Sequence, residues 1–168
     1  MTAESILVHL GLGSNLGNRK EYLSMACNQL RSEAVRELRA SSIYESEPLL
    51  KMPQPKYFNM LVCGLTFLSP QELLKKCQQI EISLGRIPRE HWGSREIDID
   101  IISYGNRKIN KDNLVIPHPE IENRSFVLMP MLELSPEWLH PENGITVKEL
   151  WENWLLKYGG QEPLLVNT

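Results

Sequence analysis

Two aspartates set two residues apart stand in the run Arg95-Glu96-Ile97-Asp98-Ile99-Asp100-Ile101. A strand alternates its side chains between faces, so both carboxylates point one way while Ile97, Ile99 and Ile101 point the other, toward a core. Roughly 7 Å apart along the strand, from a rise of ~3.3 Å per residue, the carboxylates repel unless a cation lies between them. Hard oxygen ligands on an open surface suit Mg²⁺, which keeps part of its water and takes one or two carboxylates together with a substrate's phosphates. Aspartate is a poor strand former, so its double use favours a metal role over a solvated edge strand. Immediately upstream lies the cationic loop Gly85-Arg86-Ile87-Pro88-Arg89-Glu90-His91-Trp92-Gly93-Ser94-Arg95. Guanidinium forks neutralise phosphate oxygens while a cation bridges them from the other side, so Arg86, Arg89 and Arg95 beside Asp98 and Asp100 read as a polyphosphate site. Glycines at both ends suit a loop that closes as a lid.

The elements that must position these groups are read from periodicity. Ser5 to Leu12 reads as a strand running into the loop-like cluster Gly13-Ser14-Asn15-Leu16-Gly17. Arg19 to Glu33 reads as a helix, with Leu23, Ala26, Cys27 and Leu30 on one face. Val35 to Glu45 is a second strand, and Pro48, Pro53 and Pro55 break the next stretch into a loop. Tyr57 to Phe67 is a third strand. It ends at Ser69-Pro70-Gln71-Glu72, a capping box with proline at the first helical position, which opens a helix to about Leu84 that buries Leu73, Cys77, Ile80 and Leu84. Arg95 to Tyr104 is the fourth strand, turned by Gly105-Asn106 toward a small β-addition near Lys108 and Ile109. Helices over Ser125 to Leu134 and from the capping box Thr146-Val147-Lys148-Glu149 to about Tyr158 complete the chain, and Gly159-Gly160 ends the last one before a frayed tail. The order β-α-β-β-α-β over residues 5–104 predicts a ferredoxin-like α+β sandwich with additional C-terminal helices.

With 168 residues, 42% of them hydrophobic, the sequence suits one domain over 1–168 with its core at about 5–158. Lys plus Arg minus Asp plus Glu is 18 − 21 = −3, which argues against a general nucleic-acid binder. Cys27, Cys63 and Cys77 are far apart and form no C-x-x-C pair, so buried thiols are expected rather than zinc or redox chemistry. Neither a signal peptide nor an apolar run of membrane-spanning length is read, and a cytoplasmic monomer with no nucleic-acid or membrane partner is expected.

His91-Trp92-Gly93-Ser94-Arg95-Glu96-Ile97-Asp98-Ile99-Asp100 resembles the signature of the 6-hydroxymethyl-7,8-dihydropterin pyrophosphokinase family, an R-W-G-P-R-x-x-D-x-D motif. The resemblance runs from about Leu7 to Trp138. It takes in Gly11-Leu12-Gly13-Ser14-Asn15-Leu16-Gly17, Ser42-Ile43-Tyr44 with Pro48-Leu49, Gln54-Pro55-Lys56-Tyr57-Phe58-Asn59, Gly105-Asn106, Pro117-His118 and Asn123-Arg124-Ser125-Phe126. It implies a ferredoxin-like fold and transfer of pyrophosphate from ATP to the reduced pterin, releasing AMP, in folate biosynthesis. On the same basis Asp98 and Asp100 hold two Mg²⁺ ions, and Arg86, Arg95 and Arg124 surround the phosphates. Gln78, Glu81, Trp92, Ile101, His118 and Arg124 fall at ATP positions, and Ser46, Leu49, Tyr57, Asn59, Trp92 and Phe126 at pterin positions. By residue type alone, Gln78 and Glu81 are an ordinary polar helix face and His118 a turn histidine. Tyr57 and Asn59 share a strand face, which suits a flat heteroaromatic ring held by aromatic faces and read by an amide.

The loop departs from the family pattern. Pro88 follows Ile87 where an arginine is usual, and Arg89 comes one place late as a substitute on a shifted path. His91 replaces the arginine before the tryptophan, Ser94 replaces the proline after Gly93, and Glu47 and Pro119 are also unusual. Two rival readings arise. Gly11, Gly13 and Gly17 after a strand suggest a dinucleotide fold, but the spacing G-x-G-x-x-x-G is one residue too long and no suitable acid ends the second strand. The altered loop suggests a catalytically impaired pterin- or nucleotide-binding protein on the same fold, against which the intact Asp98 and Asp100 weigh.

Overall fold

Alternating apolar residues Val8, Leu10 and Leu12 drive strand β1 (Ile6–Ser14) onto the core, and the strand runs two residues past the expected end at Leu12. In the computed structural model, which describes residues 3–49, 53–89 and 93–167, Gly13 and Ser14 continue the β-ladder. Helix α1 (Arg19–Glu33) is capped by the Asn18 side chain, which accepts from the Glu21 N–H, and buries Leu23, Ala26, Cys27 and Leu30 as its periodicity requires. Strands β2 (Arg36–Ala40) and β3 (Tyr44–Ser46) replace the single second strand expected over 35–45. The break has a side-chain cause. The Ser41 hydroxyl accepts from the Leu61 N–H at 2.9 Å, and Glu133 takes the Ser42 N–H at 2.6 Å and its hydroxyl at 2.5 Å, so the ladder is interrupted between the two strands.

Strand β4 (Tyr57–Thr66) is central and pairs with β1, β2 and β3. Helix α2 (Pro70–Ser83) begins at the expected capping box, in which Ser69 and Glu72 exchange side-chain and backbone bonds. It buries Leu73, Cys77 and Ile80, but its last buried position is Glu81, with Leu84 only half-buried beyond the end. Strand β5 (Asp98–Tyr104) starts three residues later than expected, because the Arg95 N–H and C=O are engaged by Asn15 rather than by a neighbouring strand. The β-addition is a hairpin of β6 (Ile109–Lys111) and β7 (Leu114–Ile116). Helices α3 (Ser125–Leu134) and α4 (Val147–Tyr158) fall where the sequence pattern placed them. The tail is not frayed where expected. Strand β8 (Leu164–Leu165) pairs with β3, and the Val166 N–H donates to the Ile43 carbonyl at 2.9 Å.

The sheet order is β5-β1-β4-β3-β8, with β2 also on β4, and every pairing is antiparallel. This is the split βαββαβ arrangement. One face carries Val8, Leu10, Leu12, Met60, Val62, Ile99 and Ile101 against α1 and α2. On the other, Leu61 and Ile102 meet Ile121, Val127, Leu128, Met131, Val147, Leu150 and Trp154 from the C-terminal helices. Each fully buried leucine or isoleucine contributes about 1.5–3 kcal/mol of transfer free energy, so the two apolar layers together hold the sheet between them. The three cysteines are buried and unpaired. Among the described residues no helix is long and apolar enough to cross a membrane.

Candidate active site

Because β1 places its leucines against α1 and α2, His9, Gly11 and Gly13 belong to the opposite face. The register sets Gly13 between Asn59 of β4 and Asp98 of β5, and Gly11 between Leu61 and Asp100. A β-carbon on Gly13 would stand 3.1 Å from Asn59 Oδ1 and 3.6 Å from the Tyr57 ring, and one on Gly11 would stand 3.4 Å from Ile102. The two missing side chains therefore leave room, and the floor they form opens into a cavity of about 270 Å³.

One end of the cavity is suited to a flat ring. Tyr57, Asn59, Phe126, Pro48 and Leu49 line it. The Asn59 amide donates to the Ser46 hydroxyl at 2.7 Å, which leaves Oδ1 over Gly13 as the atom presented to a ligand. Leu49 sits at the rim, 58% exposed.

The other end is charged. Asp98 and Asp100 project from β5 together, as alternation requires, and line the cavity with Arg95, His118 and Arg124. Asp98 Oδ1 accepts from Arg86 at 3.2 Å and from Arg95 at 3.1 Å, and Arg124 lies 3.7 Å from Asp100. Confinement at the cleft floor, then the charge of Asp98, push the Asp100 carboxyl upward from its ordinary range, against the pull of Arg124. This mutual repulsion is what an incoming cation would relieve. Burial, aided by Arg124, lowers His118 to about 4, so its ring is neutral at pH 7. Its Nδ1 accepts from the Glu120 N–H at 3.1 Å, which puts the proton on Nε2.

Glu81 is buried, with Oε1 accepting from the Ile99 N–H at 2.7 Å and Oε2 from Arg86 at 2.5 Å. Burial raises its carboxyl to about 7 despite those bonds. Glu81 thus fixes the start of β5 and holds Arg86 beside Asp98. Gln78 is exposed on α2 outside the cavity lining, and the Ile101 side chain is in the core on the far face of the sheet, leaving only its backbone to a ligand. Arg89 is also outside the lining, paired with Glu96 at 2.7 Å. Trp92 and His91 lie outside the described residues.

Sequence reasoning missed the floor and the ties. Gly11 and Gly13 were legible as a period-2 pair on the face opposite Leu10 and Leu12, which signals space rather than a phosphate loop. Asn15 and Gln54 gave no local signal, although Asn15 is buried and Gln54 lines the cavity.

Comparison with known proteins gives a consistent picture. The family model for 7,8-dihydro-6-hydroxymethylpterin-pyrophosphokinase (HPPK) matches residues 9–136. The chain is 42% identical over 144 residues to the 2-amino-4-hydroxy-6-hydroxymethyldihydropteridine pyrophosphokinase of Synechocystis sp., covering 85% of this chain and 73% of that protein. It is 39% identical over 145 residues to the folic acid synthesis protein fol1 of Pneumocystis carinii, covering 86% of this chain but spanning only 20% of that longer protein. In fold it is similar to Plasmodium falciparum HPPK-DHPS, whose wild-type crystal structure with pteroate superposes with a TM-score of 0.77 at 15% identity, over 96% of this chain and 44% of that one.

Proposed function

The chain belongs to the 7,8-dihydro-6-hydroxymethylpterin-pyrophosphokinase family, and from that premise we propose that it transfers the terminal diphosphate of ATP to 6-hydroxymethyl-7,8-dihydropterin, releasing AMP, in folate synthesis. The observation that carries the reading is a single cavity with a ring-binding end, Tyr57, Asn59 and Phe126, and a phosphate-binding end, Asp98, Asp100, Arg95 and Arg124.

The pterin lies between aromatic faces, and Asn59 Oδ1 accepts from its donor edge, which turns the hydroxymethyl group toward the aspartates. The hydroxymethyl oxygen forms a bond to the β-phosphorus. The bond from that phosphorus to the oxygen kept by AMP breaks, and the hydroxyl proton is released. Arg86, Arg95 and Arg124 bind phosphate oxygens and stabilise the charge that develops on them, while the His118 Nε2–H is a further donor. No side chain is required as a strong general base, because positioning and charge stabilisation dominate such transfers.

Asp98 and Asp100 fit Mg²⁺. They are two hard oxygen donors side by side, and among the described residues no group of three or more His, Cys, Asp or Glu could hold a metal by itself. A cation there needs phosphate oxygens and water to complete its shell, as Mg²⁺ prefers. Two such ions on these carboxylates would neutralise the triphosphate and polarise the β-phosphorus.

The test is product analysis with ATP, Mg²⁺ and the pterin. AMP formed only when pterin and metal are both present supports the reading. ADP would mean transfer of a single phosphoryl group, and no product with both ligands bound would leave an impaired binding protein.

A further inference from the structure

Asn15 is polar, uncharged and 1% exposed at the end of β1, and it lines no part of the cavity. Its side chain nevertheless reaches both walls. Oδ1 accepts from the Arg95 N–H at 2.7 Å, and Nδ2 donates to the Pro55 carbonyl at 3.2 Å, with Gln54 Oε1 and Ser94 Oγ each at 3.4 Å. Its own N–H donates to the Arg95 carbonyl at 3.1 Å. One amide thus ties the end of β1 to the segment Gln54–Pro55, which leads into Tyr57, and to Ser94–Arg95, which leads into Asp98. Neither segment belongs to a strand at these residues, so no ladder holds them together.

We propose that Asn15 is a positioning residue that couples the ring-binding wall to the phosphate-binding wall, so that filling one subsite sets the geometry of the other. The inference rests on the pyrophosphokinase reading above. A buried amide that uses both its donor and its acceptor on two different segments transmits displacement between them, since moving either segment alone breaks a buried bond. Ser94 belongs to the same tie. Where the family pattern has a proline, this chain has a hydroxyl within reach of the amide, so part of the rigidity of that segment comes from Asn15.

The variant Asn15→Asp tests the coupling. It keeps the volume and the acceptor for the Arg95 N–H, but it loses both donors and sets an anionic oxygen against the Pro55 carbonyl. The readout is the affinity of 6-hydroxymethyl-7,8-dihydropterin by calorimetry, with and without a non-hydrolysable ATP analogue and Mg²⁺. In the unmutated protein each ligand is expected to tighten the other by the same factor, about tenfold or more. In Asn15→Asp that factor falls toward one, whereas a merely structural Asn15 would lower the melting temperature and leave the factor intact. Ser94→Ala, at a residue outside the cavity lining, lowers the factor in the same direction by a smaller amount and carries the test should Asn15→Asp not fold. An unchanged factor in whichever variant folds, or no coupling in the unmutated protein, overturns the proposal. Failure of the unmutated protein to bind either ligand would instead sink the pyrophosphokinase reading, and that is seen before any variant is made.

Discussion

Replacing Asp98 with asparagine should strengthen metal-free nucleotide binding while abolishing turnover. Asp98 Oδ1 accepts from Arg86 at 3.2 Å and Arg95 at 3.1 Å, and all three side chains are about a quarter exposed. Until a cation draws this carboxylate away, both guanidinium groups are engaged by it, and its charge repels a polyphosphate. The amide removes that charge and turns two charge-assisted bonds into weaker ones. Arg86 also pairs with Glu81, and each guanidinium has one bond to Asp98 that the change weakens. A hydrogen bond to a charged group is worth roughly 1.5–3 kcal/mol, and a pair partly open to water sits at the lower end. One such bond redirected to a phosphate is about tenfold in affinity. Calorimetry with ATP in excess EDTA should therefore read a Kd about tenfold lower for Asp98→Asn than for the unmutated protein. Adding Mg²⁺ should tighten ATP binding to the unmutated protein and barely change it in the variant, and AMP formation should fall below detection. Metal-free ATP binding that is unchanged or weaker in Asp98→Asn would refute the idea that this carboxylate holds the arginines from phosphate.

Other parts of the molecule give three further expected outcomes. Gly13→Ala meets no backbone strain, but its methyl would lie 3.1 Å from Asn59 Oδ1, so the KM for pterin should rise about tenfold with the melting temperature little changed; steady-state kinetics showing an unchanged KM would remove Gly13 from the floor. His9 is fully buried, with Nδ1 2.7 Å from the Ser103 hydroxyl and Nε2 2.8 Å from that of Ser135, and burial followed by the Arg39 charge lowers it from 6.5 to about 4. Its folded value lies below its unfolded one, so its contribution is full above pH 6.5 and is lost as pH falls toward 4, about 2 kcal/mol by pH 5; urea unfolding of His9→Gln should show a flatter slope over that window, and an identical slope counts against it. Arg89→Glu should loosen the segment 85–89 by breaking its pair with Glu96, and Glu96→Arg in the same chain should restore it; limited proteolysis reads this as faster cleavage that reverts in the double variant, and no reversal would mean the pair is incidental.

Much of this architecture was written in local patterns. The four α-helices of the described residues lie where the sequence reading put them, and at three of them Asn18, Ser69 and Thr146 bond to backbone groups three residues away. Alternation put Asp98 and Asp100 on one face for the same local reason. The features that escaped depend on bonds between distant residues. Ser41, Ser42 and Glu133 split the second strand across 91 positions, and Asn15 draws Arg95 out of the sheet across 80. Nothing near Val35 or Arg95 announces either event. The roles of the charged residues divide likewise. That Arg86 and Arg95 belong beside the aspartates could be read from adjacency. That Glu81 would be buried as the anchor of Arg86, or that Arg89 would turn to Glu96, depended on where the helix end and the loop meet β5.

The C-terminal helices explain why the site lies where it does. A βαββαβ sheet covered by α1 and α2 alone would leave the whole opposite face open. Along β1, β4 and β5 that face begins with His9, Leu61 and Ile102, which α3 and its neighbours cover, and ends with Gly13, Asn59 and Asp98, which they do not. The uncovered end is also where the side chains turn from apolar to glycine, amide and carboxylate, so the cavity starts at the chemical boundary. Helix α3 defines that boundary and serves it. Its buried residues Val127, Leu128 and Met131 pack on the covered half, while Arg124 and Phe126 at its start line the cavity, one beside Asp100 and one at the ring end. The helix is therefore part of the site, and the buried layer beneath it holds the arginine and the aromatic ring together at the cavity wall, the guanidinium 5.7 Å from the ring centroid.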